Sequence, residues 1–325
     1  MVATTPLDIL NFLAARAEEG IDCTLITLVA VIGGSSRGVG AQMAVAADGR
    51  RIGSFSGGCV EDAVAREAID SLDEGWGHVV RYGVGSPYID IRLPCGGGID
   101  LLFTPRPDPA AIKQALRLLE DRHQAALRIE CDKVALVRSA EQAAWDGRAL
   151  THCYQPPLKV HAFGQGEDLT AFCRLAKAFG TKVHALSPES ETCRELEADD
   201  IGTTFLHSRN VLPLAAVDPW SAIVFLFHGR DWEEGLLPQT LALPAFYHGA
   251  IGSRRTHAAR LEALRGAGVS EDRIAKLRGH IGLIPATRDP ATLAISVLGE
   301  IIVEYNALAS WTYWTGTPLE TEAAQ

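Results

Sequence analysis

The apolar positions change their period halfway along the chain, and that change divides it. In the first half, Leu10, Leu13, Ala14 and Ala17 fall on one helical face, with Thr5 as cap, Pro6 at the first helical position and Gly20 past the end. A Thr-, Ile- and Val-rich run at 23–32 predicts a strand. Two short strands near 42–46 and 51–55 flank Asp48-Gly49, a hairpin signal. A helix is expected over 60–72, strands near 78–82 and 99–104, a helix over 109–122 and a strand over 134–137. Residues 139–157 lack a clear period and end in "YQPPL", which reads as a linker.

Beyond Pro157 strands and helices alternate. Strands are expected at 158–163, 182–186, 222–227 and 247–251. Helices are expected at 168–179, 232–241, 256–266 and, as a long final element, 290–307. That alternation predicts a doubly wound parallel sheet. An N-terminal α+β domain (1–150) is therefore followed by a Rossmann-like domain (151–325), with the tail after Thr315 expected to lack structure. A length of 325 residues fits two domains of roughly 150.

Composition narrows the function. A net charge of −10 with no basic run argues against nucleic acid. The N-terminus carries Asp8 and no basic region, so it does not read as a secretory signal. The unbroken apolar runs, such as 24–32, fall short of the roughly 20 residues of a membrane helix. Seven cysteines in no pattern fit reduced thiols in the cytoplasm.

Two cysteines sit against glycines, in "SFSGGCVEDAVAREA" and "LPCGGGID". Cys59 follows Gly57 and Gly58 at the start of a helix, where the dipole and free N–H groups favour a thiolate. The glycines leave room for a ligand. Cys95 precedes Gly96 and Gly97 in the same manner. A third glycine loop, "GGSSRGVG" at 33–40, adds Ser35, Ser36 and Arg37, groups suited to a phosphate or a polar heterocycle. Arg37 fits a solvated loop charge equally well. Together the loops read as an anion-tolerant pocket whose thiols suit a soft metal centre. Cys23, Cys131, Cys153, Cys173 and Cys193 read as inert core residues.

In the second half, "VHAFGQGEDLTAF" places Gly164 and Gly166 between a strand and a helix, as a dinucleotide fingerprint does. Leu169 stands where a third glycine would be, and Ser187 where the ribose-binding acid would be. Glu167 and Asp168 at the helix start would repel a pyrophosphate. A Rossmann scaffold whose glycines serve only a tight turn fits these residues too.

"GGSSRGVGAQMAV", "GSFSGGCVEDAV" and "LPCGGGIDLLF" resemble the N-terminal region of the XdhC/CoxI family of xanthine dehydrogenase maturation proteins. "FLFHGRDWEEGLL", "GAIGSRRTHAARLEALRGAGV" and "HIGLIPATRDPATLAISVLGEI" resemble its C-terminal Rossmann domain. The resemblance covers about residues 20–305. It implies a chaperone, not an enzyme, that binds the molybdenum cofactor (molybdopterin) and protects it during sulfuration. It further implies delivery to a xanthine-dehydrogenase-like molybdenum hydroxylase, contact with a cysteine desulfurase, and a homodimer. Cys59 is its implied cofactor thiol and molybdenum contact, and Cys95 the second candidate. His228 and Arg254 match the family's strand-end histidine and GSRR turn. Three positions depart from the family pattern: Glu167, Ser187 and the Ile284-Pro285 pair. NAD(P) is accordingly disfavoured as a cofactor. The alternatives are an NAD(P)-dependent oxidoreductase using the Rossmann half, and a non-catalytic protein that docks desulfurase to hydroxylase.

Overall fold

The computed structural model describes residues 4–58, 60–86, 96–137, 145–214 and 216–308. The chain divides between Pro156 and Pro157 into two compact units.

The first unit opens with α1 (Pro6–Glu18), started by a capping box in which the Asp8 carboxylate accepts from Thr5 N at 2.8 Å. It continues through β1 (Cys23–Ile32), β2 (Gln42–Ala46), β3 (Arg51–Gly53), α2 (Glu61–Glu74), β4 (His78–Gly83) and β5 (Gly98–Pro105). Then come α3 (Pro109–Glu120), β6 (Ala125–Glu130), β7 (Val134–Val137) and β8 (Ala149–Tyr154). An antiparallel sheet runs β3-β2-β1-β5-β4, and a smaller one runs β7-β6-β8.

The larger sheet is buried on both faces, which is why β1 reads as an unbroken apolar run. Leu25 and Val29 of β1 join Ala44 and Ala46 of β2 in a core shared with α1 and α3. Ile26 and Leu28 join Met43 and Val45 in a second core, closed by Val64 and Ala68 of α2. The period of two in the strands sorts the side chains between these cores.

The linker expected at 139–157 is corrected by β8, which pairs with β6 from Ala125↔Tyr154 to Glu130↔Ala149. Buried Tyr154 donates to Gln42 Oε1 at 2.9 Å, tying the small sheet to β2. The two prolines that suggested a linker stand just past the strand. β6 itself, "AALRIE", alternates buried and half-buried residues, a half-covered strand pattern.

The second unit is built from β9 (Lys159–Gly164), α4 (Gly166–Phe179), β10 (Lys182–Ser187), α5 (Ser190–Ala198) and β11 (Gly202–Phe205). It continues with β12 (Ser221–Leu226), α6 (Glu233–Thr240), β13 (Tyr247–Ala250), α7 (Arg254–Gly266), α8 (Glu271–Ile274), β14 (Leu277–Gly279) and α9 (Pro290–Leu308). Its parallel sheet has the order β11-β10-β9-β12-β13-β14. Strand order reverses between β9 and β12, the switch point of a doubly wound fold. Val160 and Ala162 face α4, α5 and α9, while Phe163 and Phe225 face α6 and α7.

One expectation changes at α9. Among the described residues it is the helix long and apolar enough, by length and composition, to cross a membrane. The unbroken-run criterion missed it because Glu300 and Glu304 interrupt the run. Ala294, Val297, Leu298 and Ile301 of α9 are buried in the core they share with α4.

A buried ion pair joins α6 to α7. Arg260 Nε and Nη2 donate to Glu233 at 2.8 Å each, and Nη2 also reaches Ile251 O at 2.9 Å. Both side chains are buried. Removing one partner strands a charge in the interior, at a cost of about 3–5 kcal/mol. Glu233→Ala is therefore expected to lower urea-unfolding stability by that amount, and Glu233→Leu combined with Arg260→Met by much less.

Candidate functional site

The topology brings the glycine loops of the first unit together. Loop 33–40 follows β1, loop 54–58 follows β3, and residues 96–97 precede β5. β3 runs parallel to β1 through two antiparallel steps, and β5 runs antiparallel to β1, so all three emerge at one end of the sheet.

Contacts bear this out. A Cβ on Gly97 would strike the carbonyl oxygens of Gly34 and, at 2.7 Å, Ile32. Only glycine permits that approach. Ser36 Oγ donates to Phe55 O at 2.7 Å, and Arg37 Nε to Ser54 O at 3.4 Å. Ser35 Oγ accepts from Arg37 N at 3.2 Å and shapes the turn. Ser36 and Arg37 are exposed, as are Gly57, Gly58 and Gly96. A Cβ built on any of those three glycines would meet nothing within 4 Å.

Loop 54–58 is organised by Glu61. Its Oε1 accepts from Ser54 Oγ at 2.8 Å, Phe55 N at 2.9 Å, Ser56 N at 2.7 Å and Gly57 N at 3.1 Å. Its Oε2 accepts from Ser56 Oγ at 2.9 Å, Gly58 N at 2.8 Å and Val60 N at 3.2 Å. Positive φ at Gly57 (78°) and Gly58 (129°) lets consecutive amides turn toward one point. Burial works to raise the carboxyl pKa, but the Ser54 and Ser56 donors prevail and hold it far below the usual range.

The amides of the turn that leads into α2 are thus engaged, while the first turn of the helix itself has no side-chain cap. The amides of Phe55, Ser56, Gly57, Gly58 and Val60 already serve a carboxylate, and Asp62 adds a second acid in the same turn. Cys59 and Cys95 lie outside the described residues. Of the other five, Cys23, Cys173 and Cys193 are buried in the cores, whereas Cys131 and Cys153 are only half-buried; burial pushes the Cys23 thiol up to about 11 and Cys173 up to about 12. It also raises Cys131, Cys153 and Cys193.

Sequence reasoning missed Glu61, because an acid in the first turn of a helix reads as an ordinary partner of the helix dipole. It missed His152 as well. That β8 residue lies under loop 33–40, its Nδ1 2.7 Å from where a Cβ on Gly40 would sit. Burial pushes its imidazole down to about 4, keeping it neutral.

In the second unit, Gly164 ends β9 against Leu226 of β12. Gly166 N, at the start of α4, donates to Glu189 Oε2 at 3.1 Å, and Thr192 Oγ1 donates to the same oxygen at 2.8 Å. Although it lies past Pro188, Glu189 therefore turns back onto the glycine amide a pyrophosphate would use. Asp168 pairs with His228 Nε2 at 3.1 Å, across the switch point. Arg254 is exposed on the first turn of α7, which Ser253 Oγ caps by accepting from Thr256 N at 3.1 Å. His228 and Arg254 thus follow the C-terminal ends of adjacent strands, β12 and β13.

Beside Gly166 is a cavity of about 1040 Å³ lined by Glu167, Glu189, Glu191, Glu195 and Asp289, with Arg174 as its basic residue. Arg174 is paired with Asp199 at 2.7 Å and Glu195 at 2.8 Å. Such a field opposes a phosphate-bearing ligand. No cluster of three potential metal-ligating His, Cys, Asp or Glu side chains occurs among the described residues.

Fold and loops thus define a two-part protein: an antiparallel sheet carrying glycine loops at one end, and a Rossmann unit without a clear phosphate seat. Residues 16–83 match the model of the XdhC and CoxI family, and residues 160–301 match the XdhC Rossmann domain. The chain is 34% identical over 297 residues to the molybdenum cofactor insertion chaperone PaoD of Escherichia coli K12, covering 90% of this chain and 86% of PaoD. It is 26% identical over 300 residues to the E. coli uncharacterized protein YqeB, of which it spans 46%. A crystal structure from Bacillus halodurans, described as a xanthine dehydrogenase, superposes with a TM-score of 0.74 at 20% identity, covering 94% of this chain and 96% of the other. The chain belongs to the XdhC/CoxI family.

The Glu61 geometry has a pH signature. Its folded pKa lies below the unfolded value near 4.5, so its stabilisation is complete above that pH and declines as pH falls through it. Glu61→Gln is expected to lower stability at pH 7 and to flatten the decline below about pH 4.5. Chemical denaturation at several pH values measures both.

Proposed function

We propose that this protein is a maturation chaperone that binds the molybdenum cofactor at the glycine loops of its first unit. It protects the cofactor during sulfuration and delivers it to a xanthine-dehydrogenase-like molybdenum hydroxylase. Cysteine desulfurase is the second partner, a homodimer the working form and the cytoplasm the compartment. Neither nucleic acid nor membrane takes part, and the protein has no turnover of its own.

The observation that carries this reading is the convergence of three loops at one sheet end, with three glycines facing open space. Kinship with a molybdenum cofactor insertion chaperone supports the cofactor class. The residues present suit it. The cofactor is an anionic pterin with a phosphate and a dithiolene-bound metal. The exposed Arg37 guanidinium has donors left for the phosphate after its bond to Ser54 O, and Ser35 and Ser36 offer hydroxyls. Gly57, Gly58 and Gly96 leave a rim without side chains where a flat ring system can approach the backbone. Cys59 is the proposed thiol facing the metal, with Cys95 beside it in role. When bound, the cofactor supplies the molybdenum centre of the recipient enzyme; this chain binds and shelters it.

The Rossmann half is proposed as scaffold, since Glu189 already occupies the Gly166 amide. That weighs against an NAD(P)-dependent oxidoreductase. A protein that only docks desulfurase to hydroxylase has no use for the open glycine rim.

Incubation with released cofactor, desalting, and assay of molybdenum and pterin tests the proposal. The wild type is expected to retain both, and Cys59→Ala to lose most of the molybdenum. NAD(P) titration is expected to give no saturable signal. Unchanged retention by Cys59→Ala, or tight NAD(P) binding, would overturn the assignment.

A further inference from the structure

We propose that a cavity between α6 and α7 binds a small aliphatic amino acid, held as its zwitterion by two arginines and a glutamate that line it. The proposal concerns the second unit alone and does not depend on the cofactor reading of the glycine loops.

Arg260 carries an orphaned donor. The residue is 3% exposed, and its Nε and Nη2 are spent on Glu233 and on Ile251 O. The third nitrogen, Nη1, is buried without a hydrogen-bond partner. A buried donor left unmet is costly, so such a group calls for an acceptor from outside the chain.

Arg260 lines a cavity of about 390 Å³, at the small end of the range for ligand pockets. The charged part of the lining is two arginines and two glutamates. Arg260 and Glu233 pair with each other, which leaves Arg230 and Glu234. Among the described residues neither of these two side chains has a hydrogen bond or an ion pair. Arg230 is half-buried and Glu234 exposed. Both stand close enough to act on Glu233: burial raises its carboxyl pKa, Arg260 chiefly opposes that, and Arg230 lowers it while Glu234 raises it. Leu237 and Leu264, both buried, supply an apolar wall.

This lining selects among ligands. Nη1 and the Arg230 guanidinium together suit a carboxylate. A phosphate or sulfate would set its second charge against Glu233 and Glu234 and leave the leucines without an apolar partner. Two arginines and two glutamates sum to no net charge, so a guest with one charge of each sign keeps the cavity neutral. The helix ends agree with that guest. The first turn of α6 favours its carboxylate, and the last turn of α7 favours its ammonium, which Glu234 can receive. A short hydrocarbon chain covers Leu237 and Leu264. Those three parts make an aliphatic α-amino acid.

Calorimetric titration of the whole chain with valine, leucine and isoleucine tests the proposal, with isovalerate and isopentylamine as half-ligands. At least one amino acid is expected to bind saturably at millimolar concentration. Each half-ligand lacks one charged contact and is expected to bind about tenfold more weakly or worse. Ala263→Leu fills the cavity from an exposed helical position, and Arg230→Gln removes the unpaired guanidinium. Each variant is expected to weaken binding about tenfold or more while the thermal midpoint of the ligand-free protein stays at the wild-type value. Where one variant misfolds, the other carries the test. Binding to the folded state also raises the wild-type midpoint with amino-acid concentration, which the variants are expected to lose. No saturable heat with any of the three amino acids would mean that water alone serves Nη1, and would overturn the proposal. A half-ligand that binds as tightly as its amino acid, or folded variants that bind like wild type, would overturn it too.

Discussion

One carboxylate holds the first unit's loop system in place. Glu61 draws together the amides of residues 55–58 and 60, and Phe55 O and Ser54 O in turn receive Ser36 and Arg37. Loop 33–40 is thereby tied to loop 54–58, and the glycine contact between Gly34 and Gly97 ties in the third. Phe55 and Val60 anchor the ends of loop 54–60 in the core. The serines and glycines have little apolar surface to bury and much backbone entropy to lose, and the Glu61 carboxylate supplies order there.

The two units treat an anion-binding turn in the same manner. In each, a glycine-bearing turn opens a helix, and in each an acid from the chain accepts from its backbone: Glu61 from several amides in the first, Glu189 from the Gly166 amide in the second. Motifs that look ready to accept phosphate are thus satisfied internally. What is left open differs. The first unit keeps a glycine rim with the exposed Arg37 guanidinium nearby, whereas the second surrounds its cavity with carboxylates.

Much of this was legible in the residues. The period of the apolar positions placed β1, β2, β9, β10 and β12 because those strands are buried on both faces or flanked by clear turns. The glycine loops were legible as a group, and the topology confirms that they share one sheet end. Elements with weak signals were missed: β6 and β8 alternate apolar with charged or polar residues, and β11 and β14 are three or four residues long. Glu61 was invisible for another reason. An acid at a helix start ordinarily reads as a dipole partner, and only coordinates reveal that it gathers a loop folded back over it. Glu189 gave no such signal either: it follows Pro188, beyond the strand end where a ribose-binding acid is sought, and only the fold brings its carboxylate to the Gly166 amide.

The most direct measurement is the position of molybdenum. A crystal of the protein loaded with released cofactor, measured at the molybdenum absorption edge, should show one anomalous peak beside loops 33–40, 54–60 and 96–97. A peak beside Gly166 and Glu189 in the Rossmann unit would contradict the account, as would loaded crystals with no ordered metal at either place.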